Sequence, residues 1–187
     1  SYVLLEQEDW FEDEMGFIRE YVEPGMHILD IGANHGVYAL TMARKLDGKG
    51  HVWAIEPASA PGGMIEIGIR LNALEEVLTL LPVALSDHEG EAELNLGNSS
   101  ELNTLQASSG AAGTETIQLR TLDGIMELLE VDSIDFIKLD AEGEEVNVLK
   151  GGERFFAVHS PVIMFELKHG SQVNFNLLQA FSGLGME

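Results

Sequence analysis

The sequence predicts an α/β fold built on a doubly wound, mostly parallel sheet. Three observations carry this reading. Short apolar runs at His27–Ile31, His51–Glu56, Val77–Leu85, Ile134–Asp140 and Val162–Leu167 read as strands buried on both faces. Helically spaced segments separate most of these runs, and that alternation implies parallel strands joined by right-handed crossovers. The chain has 187 residues, the length of one ordinary domain, with enough apolar residues to bury a core.

The elements follow in order. Segment 1–24 is acidic, and Trp10, Phe11, Met15, Phe17, Ile18, Tyr21 and Val22 recur at helical spacing. They predict an amphipathic helix over about Glu8–Val22, closed by Pro24-Gly25. Residues 25–187 form the main unit, in a chain read as a single domain overall. After the first strand a helix runs over about Val37–Leu46 and stops at Gly48 and Gly50. A loop rich in Pro, Gly, Ser and Ala precedes a helix at 64–73. Glu91–Leu96 and Glu115–Arg120 alternate like exposed strands, and Asp87-His88-Glu89-Gly90 reads as a hairpin turn. The stretch 97–114, with Ser99, Ser100 and Asn103, reads as a mobile loop, either a substrate lid or plain surface. Helices are expected at Thr121–Leu129, 142–157 and Asn176–Leu184.

Charge narrows the partners. Ten Lys and Arg stand against 32 Asp and Glu, a net charge of −22. The basic residues are scattered, so a nucleic-acid partner is excluded and an anionic membrane surface is disfavoured. No apolar run approaches the ~20 residues of a membrane span. The absence of cysteine removes disulfides, thiolate nucleophiles and thiolate zinc sites, and fits a cytoplasmic protein. The six histidines (His27, His35, His51, His88, His159, His169) lack ligand spacing, so no metal is expected.

The sharpest local signal is Ile28-Leu29-Asp30-Ile31-Gly32-Ala33-Asn34-His35-Gly36, a buried strand feeding a tight turn and then a helix. Glycines at 32 and 36 allow the turn and a close ligand approach. Glu56 ends the second strand twenty positions past Gly36, where an acid is expected to take ribose hydroxyls. A dinucleotide loop carries three glycines, and here Asn34 replaces the second. Asp30 would oppose a pyrophosphate and suits a ligand with an ammonium or sulfonium group. The residues therefore favour S-adenosylmethionine over NAD.

Further segments carry a family resemblance. Asp30-Ile31-Gly32-Ala33-Asn34-His35-Gly36, Glu56-Pro57, Pro82-Val83-Ala84-Leu85-Ser86-Asp87, Thr121-Leu122-Asp123 and Ile134–Gly143 with Glu145, followed by Val148-Leu149-Lys150-Gly151, resemble the FkbM family of S-adenosylmethionine-dependent methyltransferases. The resemblance implies a class I methyltransferase (Rossmann-like) fold and O-methylation of a hydroxyl on a small metabolite, sugar or glycan. It places Asp30, Gly32, Ala33, Asn34 and Gly36 at the methionine and ribose end of the cofactor. It gives Glu56 the ribose hydroxyls and sets Ala84 near the adenine. The family fold continues into two further strands beyond the last helix, and the chain is expected to lack them. Val162–Leu167 would then be a sheet edge, through which a homo-oligomer could form.

The chemistry is expected where the fourth buried strand ends. Asp140 and Glu142 leave it at the carboxyl edge of the sheet, where open α/β folds bind ligands. They are the candidate catalytic residues, as base or as acceptor-positioning groups. Glu145 is assigned to the first turn of the next helix. His169 is a secondary base candidate. Lys138 lies on the same strand face as Asp140 and needs a partner, for which Glu166 is the expected one. Two other functions fit parts of the sequence. One is a catalytically silent cofactor-binding or assembly module. The other is an NAD(P)-dependent oxidoreductase, which the absence of a Ser/Tyr/Lys catalytic set disfavours.

Overall fold

The computed structural model describes residues 13–97, 103–105, 113–165, 168–169, 172–173 and 175–185. Helix α1 (Asp13–Tyr21) leads into strand β1 (His27–Ile31), helix α2 (Val37–Lys45), strand β2 (His51–Ile55), helix α3 (Ser59–Asn72) and strand β3 (Leu78–Leu81). Three strands follow, β4 (Ala84–Leu85), β5 (Gly90–Leu96) and β6 (Gly113–Arg120). Helix α4 (Leu122–Leu129), strand β7 (Phe136–Leu139) and the short helices α5 (Glu145–Lys150) and α6 (Glu153–Val158) come next. The described chain closes with β8 (Val162–Phe165), β9 (Lys168–His169), β10 (Gln172–Val173) and α7 (Phe175–Gly183).

The main sheet has the order β3-β2-β1-β7-β8, and every pairing in it is parallel. The five runs read as buried strands all contribute to it. Among the described residues, β3 and β8 are its edges. Side chains alternate across the sheet. Ile28, Val52, Leu78 and Phe136 point to one face, where Ile18 of α1, Met42 of α2 and Ile65 of α3 cover them. Leu29, Trp53 and Ile137 point to the other, under Leu122 of α4, Phe155 of α6 and Leu177 of α7. Burial on both faces explains why these strands lack polar alternation.

Four segments differ from the sequence reading, each for a physical reason. Helix α3 begins at Ser59 and takes in the loop-like Pro61-Gly62-Gly63. Proline in a first turn costs nothing, because its missing N–H would have no intrahelical partner. The run 77–85 is two strands: Pro82 interrupts it, and β4 leaves the main sheet to pair with β6. Asp87–Glu89 is no hairpin turn, because β6 lies between β4 and β5. The expected helix 142–157 breaks into α5 and α6 at Gly151-Gly152. A Cβ at residue 151 would overlap the Ser86 carbonyl oxygen, so the chain needs glycine there. The N-terminal helix is described from Asp13, and most of stretch 97–114, with Ser99 and Ser100, lies outside the described residues.

β5 and β6 pair antiparallel, and with β4 they make a three-stranded sheet beside the carboxyl end of the main one. Leu94, Ile117 and Leu119 pack with Ala84 and Ala58, tying this sheet to the ends of β2 and β3. Glu115 of β6 accepts the Ser59 N–H at the start of α3, at 3.2 Å to each oxygen. No helix among the described residues is long and apolar enough to cross a membrane.

Candidate active site

A cleft opens where β1, β2 and β7 end, with β4 and the β5 side of the small sheet as its far wall. Its walls include Gly32, Asn34, Glu56, Ala84, Asp140 and Glu142, which are six of the nine residues singled out in the sequence. The other three, Asp30, Ala33 and Gly36, do not line it. Ala33 is buried in the apolar layer beneath α2, and Gly36 packs against Ile65 of α3.

The β1–α2 turn is held from two sides. The N–H groups of Gly32 and Ala33 both donate to the Ile55 carbonyl at 3.0 Å. Asn34, in the left-handed region at φ +48°, donates its backbone N–H to Glu56 Oε2 at 2.9 Å. The other Glu56 oxygen accepts the Ala58 N–H at 2.9 Å. Glu56 is thus fixed by backbone donors and keeps lone pairs for a ligand. Burial pushes its carboxyl pKa up, and those two N–H groups pull it back. Gly32 answers to protein more than to ligand. With φ +77°, a Cβ there would overlap the Asp140 carbonyl oxygen. This close approach seats the end of β7 against the turn, and Asp140 N–H donates to Ile31 O at 3.0 Å.

Beyond β7 the chain makes a tight turn. Glu142 adopts φ +47° and Gly143 φ +95°. A left-handed glutamate is a strained choice, of the kind that concentrates at functional sites. Glu145 reaches back and accepts the N–H groups of Ala141 and Gly143, at 3.0 and 3.1 Å. That fits the structural role expected for it. Glu144 also lines the cleft and accepts from Ser86 Oγ and Asn147 Nδ2. The sequence reading missed Glu144. It also missed the contribution of Thr104 and Leu105, held against β5 by the Asn95–Thr104 bridge; Asn103 lines the cleft beside them.

Asp30 belongs to the layer below. It is fully buried, and neither of its oxygens receives a hydrogen bond of ordinary geometry. Its nearest cation is Lys138 Nζ, 3.9 Å from Oδ1, and that same ammonium donates to Asp140 Oδ2 at 3.2 Å. Burial lifts the Asp30 pKa to about 6; Lys138 and the Ala39 N–H act against the rise and Asp140 adds to it. The expected Lys138 partner, Glu166, lies outside the described residues, as does the side chain of His169. His35 is exposed in the turn. His159 is buried beside Phe155, and burial lowers its pKa.

The charge of the cleft tests the ligand. Among the described residues, Glu56, Asp140, Glu142 and Glu144 line it, and no Lys, Arg or His does. Such walls repel a pyrophosphate and attract a cationic sulfonium with its ammonium. The residues present therefore fit S-adenosylmethionine.

Residues 30–183 match the family model for the methyltransferase FkbM domain. The chain belongs to the FkbM methyltransferase family. Solved structures give the same fold at low identity. A SAM-dependent O-methyltransferase from Thermotoga maritima is 14% identical with a TM-score of 0.56, over 96% of this chain and 54% of its own. A precorrin-6y C5,15-methyltransferase from Geobacter metallireducens is 14% identical with a TM-score of 0.52, over 91% and 68%. A SAM-dependent methyltransferase from Aquifex aeolicus is 14% identical with a TM-score of 0.51, over 94% and 79%. No curated protein matches the chain. This FkbM-family protein is an S-adenosylmethionine-dependent methyltransferase with a class I fold.

Proposed function

We propose that this methyltransferase acts on a hydroxyl group of a small metabolite, sugar or glycan, with Asp140 and Glu142 on the acceptor side. Asp140 is the observation that carries the reading. Its side chain is 44% exposed, lines the cleft, and stands at the end of β7 next to the cofactor turn of β1. The bound sulfonium supplies an activated methyl carbon. The protein's task is then to align the acceptor oxygen for in-line displacement and to remove its proton. The Asp140 or Glu142 carboxylate would accept that proton from the acceptor hydroxyl. Gly32, Asn34, Glu56 and Ala84 form the cofactor side of the same cleft. Its carboxylate lining favours neutral or cationic acceptors over polyanions such as RNA.

The test pairs calorimetry with turnover. Asp140→Asn should bind S-adenosylhomocysteine within about threefold of the wild-type affinity and lose at least about tenfold in kcat on a hydroxylated acceptor. An unchanged rate removes Asp140 from the acceptor side. Turnover confined to amine acceptors without hydroxyls refutes O-methylation.

A further inference from the structure

The three charged groups below and beside the cleft form a graded series. Asp30 is fully buried, the Lys138 side chain is 8% exposed, and Asp140 is 44% exposed. They hold this order because of register. Asp30 and Lys138 are direct partners on the adjacent parallel strands β1 and β7. Lys138 and Asp140, two positions apart, share a face. The ammonium is 3.9 Å from Asp30 Oδ1, 3.2 Å from Asp140 Oδ2 and 4.7 Å from the centre of the Tyr38 ring.

A stability role alone accounts poorly for this arrangement. Apolar side chains fill core strands at lower cost than buried ion pairs do. Every other β1 side chain after His27 is apolar. A cofactor contact accounts poorly for Asp30, which is absent from the cleft wall. What Asp30 does reach is the lysine. A lysine stem is flexible and its ammonium prefers water. Asp30 from below and the Tyr38 ring from the side keep it inside, where it can hold one oxygen of Asp140.

We propose that Asp30 and Lys138 form a buried anchor that positions the Asp140 carboxylate at the cleft, so that Asp30 is a positioning residue and not a cofactor contact. The inference rests on the proposed acceptor-side role of Asp140. It predicts that a change at Asp30 is felt at Asp140 and hardly at all by the cofactor.

The experiment compares Asp30→Asn, Lys138→Met and Lys138→Arg, each checked for folding by circular dichroism. Asp30→Ser serves if the asparagine variant does not fold. Two measurements need no acceptor. Calorimetry gives the affinity for S-adenosylhomocysteine. Carbon NMR at one fixed pH follows the Asp140 carboxyl in protein labelled at aspartate Cγ, its signal assigned by its loss in Asp140→Asn. Asp30→Asn should keep the affinity within about threefold of wild type and still move the Asp140 signal. Lys138→Met should move it further, and Lys138→Arg should bring it back toward the wild-type position. A loss of affinity beyond about tenfold in folded Asp30→Asn would make Asp30 a cofactor contact and overturn the proposal. An Asp140 signal that ignores Asp30 also overturns it. If the signal follows the anchor but Asp140→Asn turns over at the wild-type rate, the acceptor-side reading fails and the anchor stands.

Discussion

The burial of Asp30 makes a prediction about stability that can be worked through. Its folded pKa is raised from 3.8 to about 6. At about 1.4 kcal/mol per unit, ionising this group in the fold costs about 3 kcal/mol relative to the unfolded chain. The sign is opposite to that of a salt-bridged surface carboxylate. Between 3.8 and about 6 the folded state holds the proton more tightly than the unfolded state does. Stability from this group therefore falls as pH rises through that window and levels off above it. Between pH 5 and 7.5 the fall amounts to about 1.4 kcal/mol. Asp30→Asn has no such ionisation. Its fixed costs, such as a buried amide with imperfect partners, largely cancel when one variant is compared with itself at two pH values. Urea unfolding of both proteins at pH 5 and 7.5 should thus show the wild type losing about 1.4 kcal/mol relative to the variant. In melting temperature that is about 3–6 °C for a domain of this size. A difference that stays constant, or that grows in favour of the wild type at high pH, would refute the burial argument.

Three further substitutions test other parts of the frame. Gly32→Ala should destabilise by about 4 kcal/mol or more, because a Cβ there meets the Asp140 carbonyl and the left-handed backbone disfavours alanine; a variant unfolding in urea within about 1 kcal/mol of wild type contradicts the close approach. Glu56→Gln should weaken S-adenosylhomocysteine binding about tenfold or more by calorimetry, since the Asn34 and Ala58 N–H groups lose a charged acceptor and the proposed ribose contact loses its carboxylate. Thr121→Ala removes the hydroxyl that accepts the Gly124 N–H at the start of α4. It should cost about 1 kcal/mol in thermal unfolding and leave cofactor affinity unchanged, because Thr121 does not line the cleft.

Where the sequence was legible, the determinant was local or periodic. The apolar runs of β1, β2 and β7 had to be buried on both faces, and the intervening periodic segments had to cover them. Glu56 could be read from its spacing to the turn, because its partners are backbone N–H groups that any side chains would leave in place. Where the reading missed, the determinant was a contact distant in sequence. Nothing around Gly151 announces that the Ser86 carbonyl will arrive there and split a helix. Nothing in Ser59–Gly63 reveals that Glu115, on β6, will meet the first N–H of α3 and let a loop-like segment begin a helix.

Asp30 shows how a site residue can be found from sequence and still be misplaced. Its charge and its position one residue before the end of β1 are plain. Whether it faces the cleft or the interior depends on the strands beside it. Aligning the ends of β1 and β7 would have settled the point, because Lys138 is likewise one residue before the end of its strand. Two opposite charges at the same level of adjacent parallel strands must share a face, and that face is the one α2 covers. An acid at the tip of β1 in such a turn then has two possible destinations. Where the matching position on the neighbouring strand is apolar, nothing compensates a buried carboxylate, and it must turn outward to the ligand. Where that position is a lysine, the carboxylate can stay inside and act through the lysine. This chain has the lysine, and the cleft it serves is walled by Asp140 and not by Asp30.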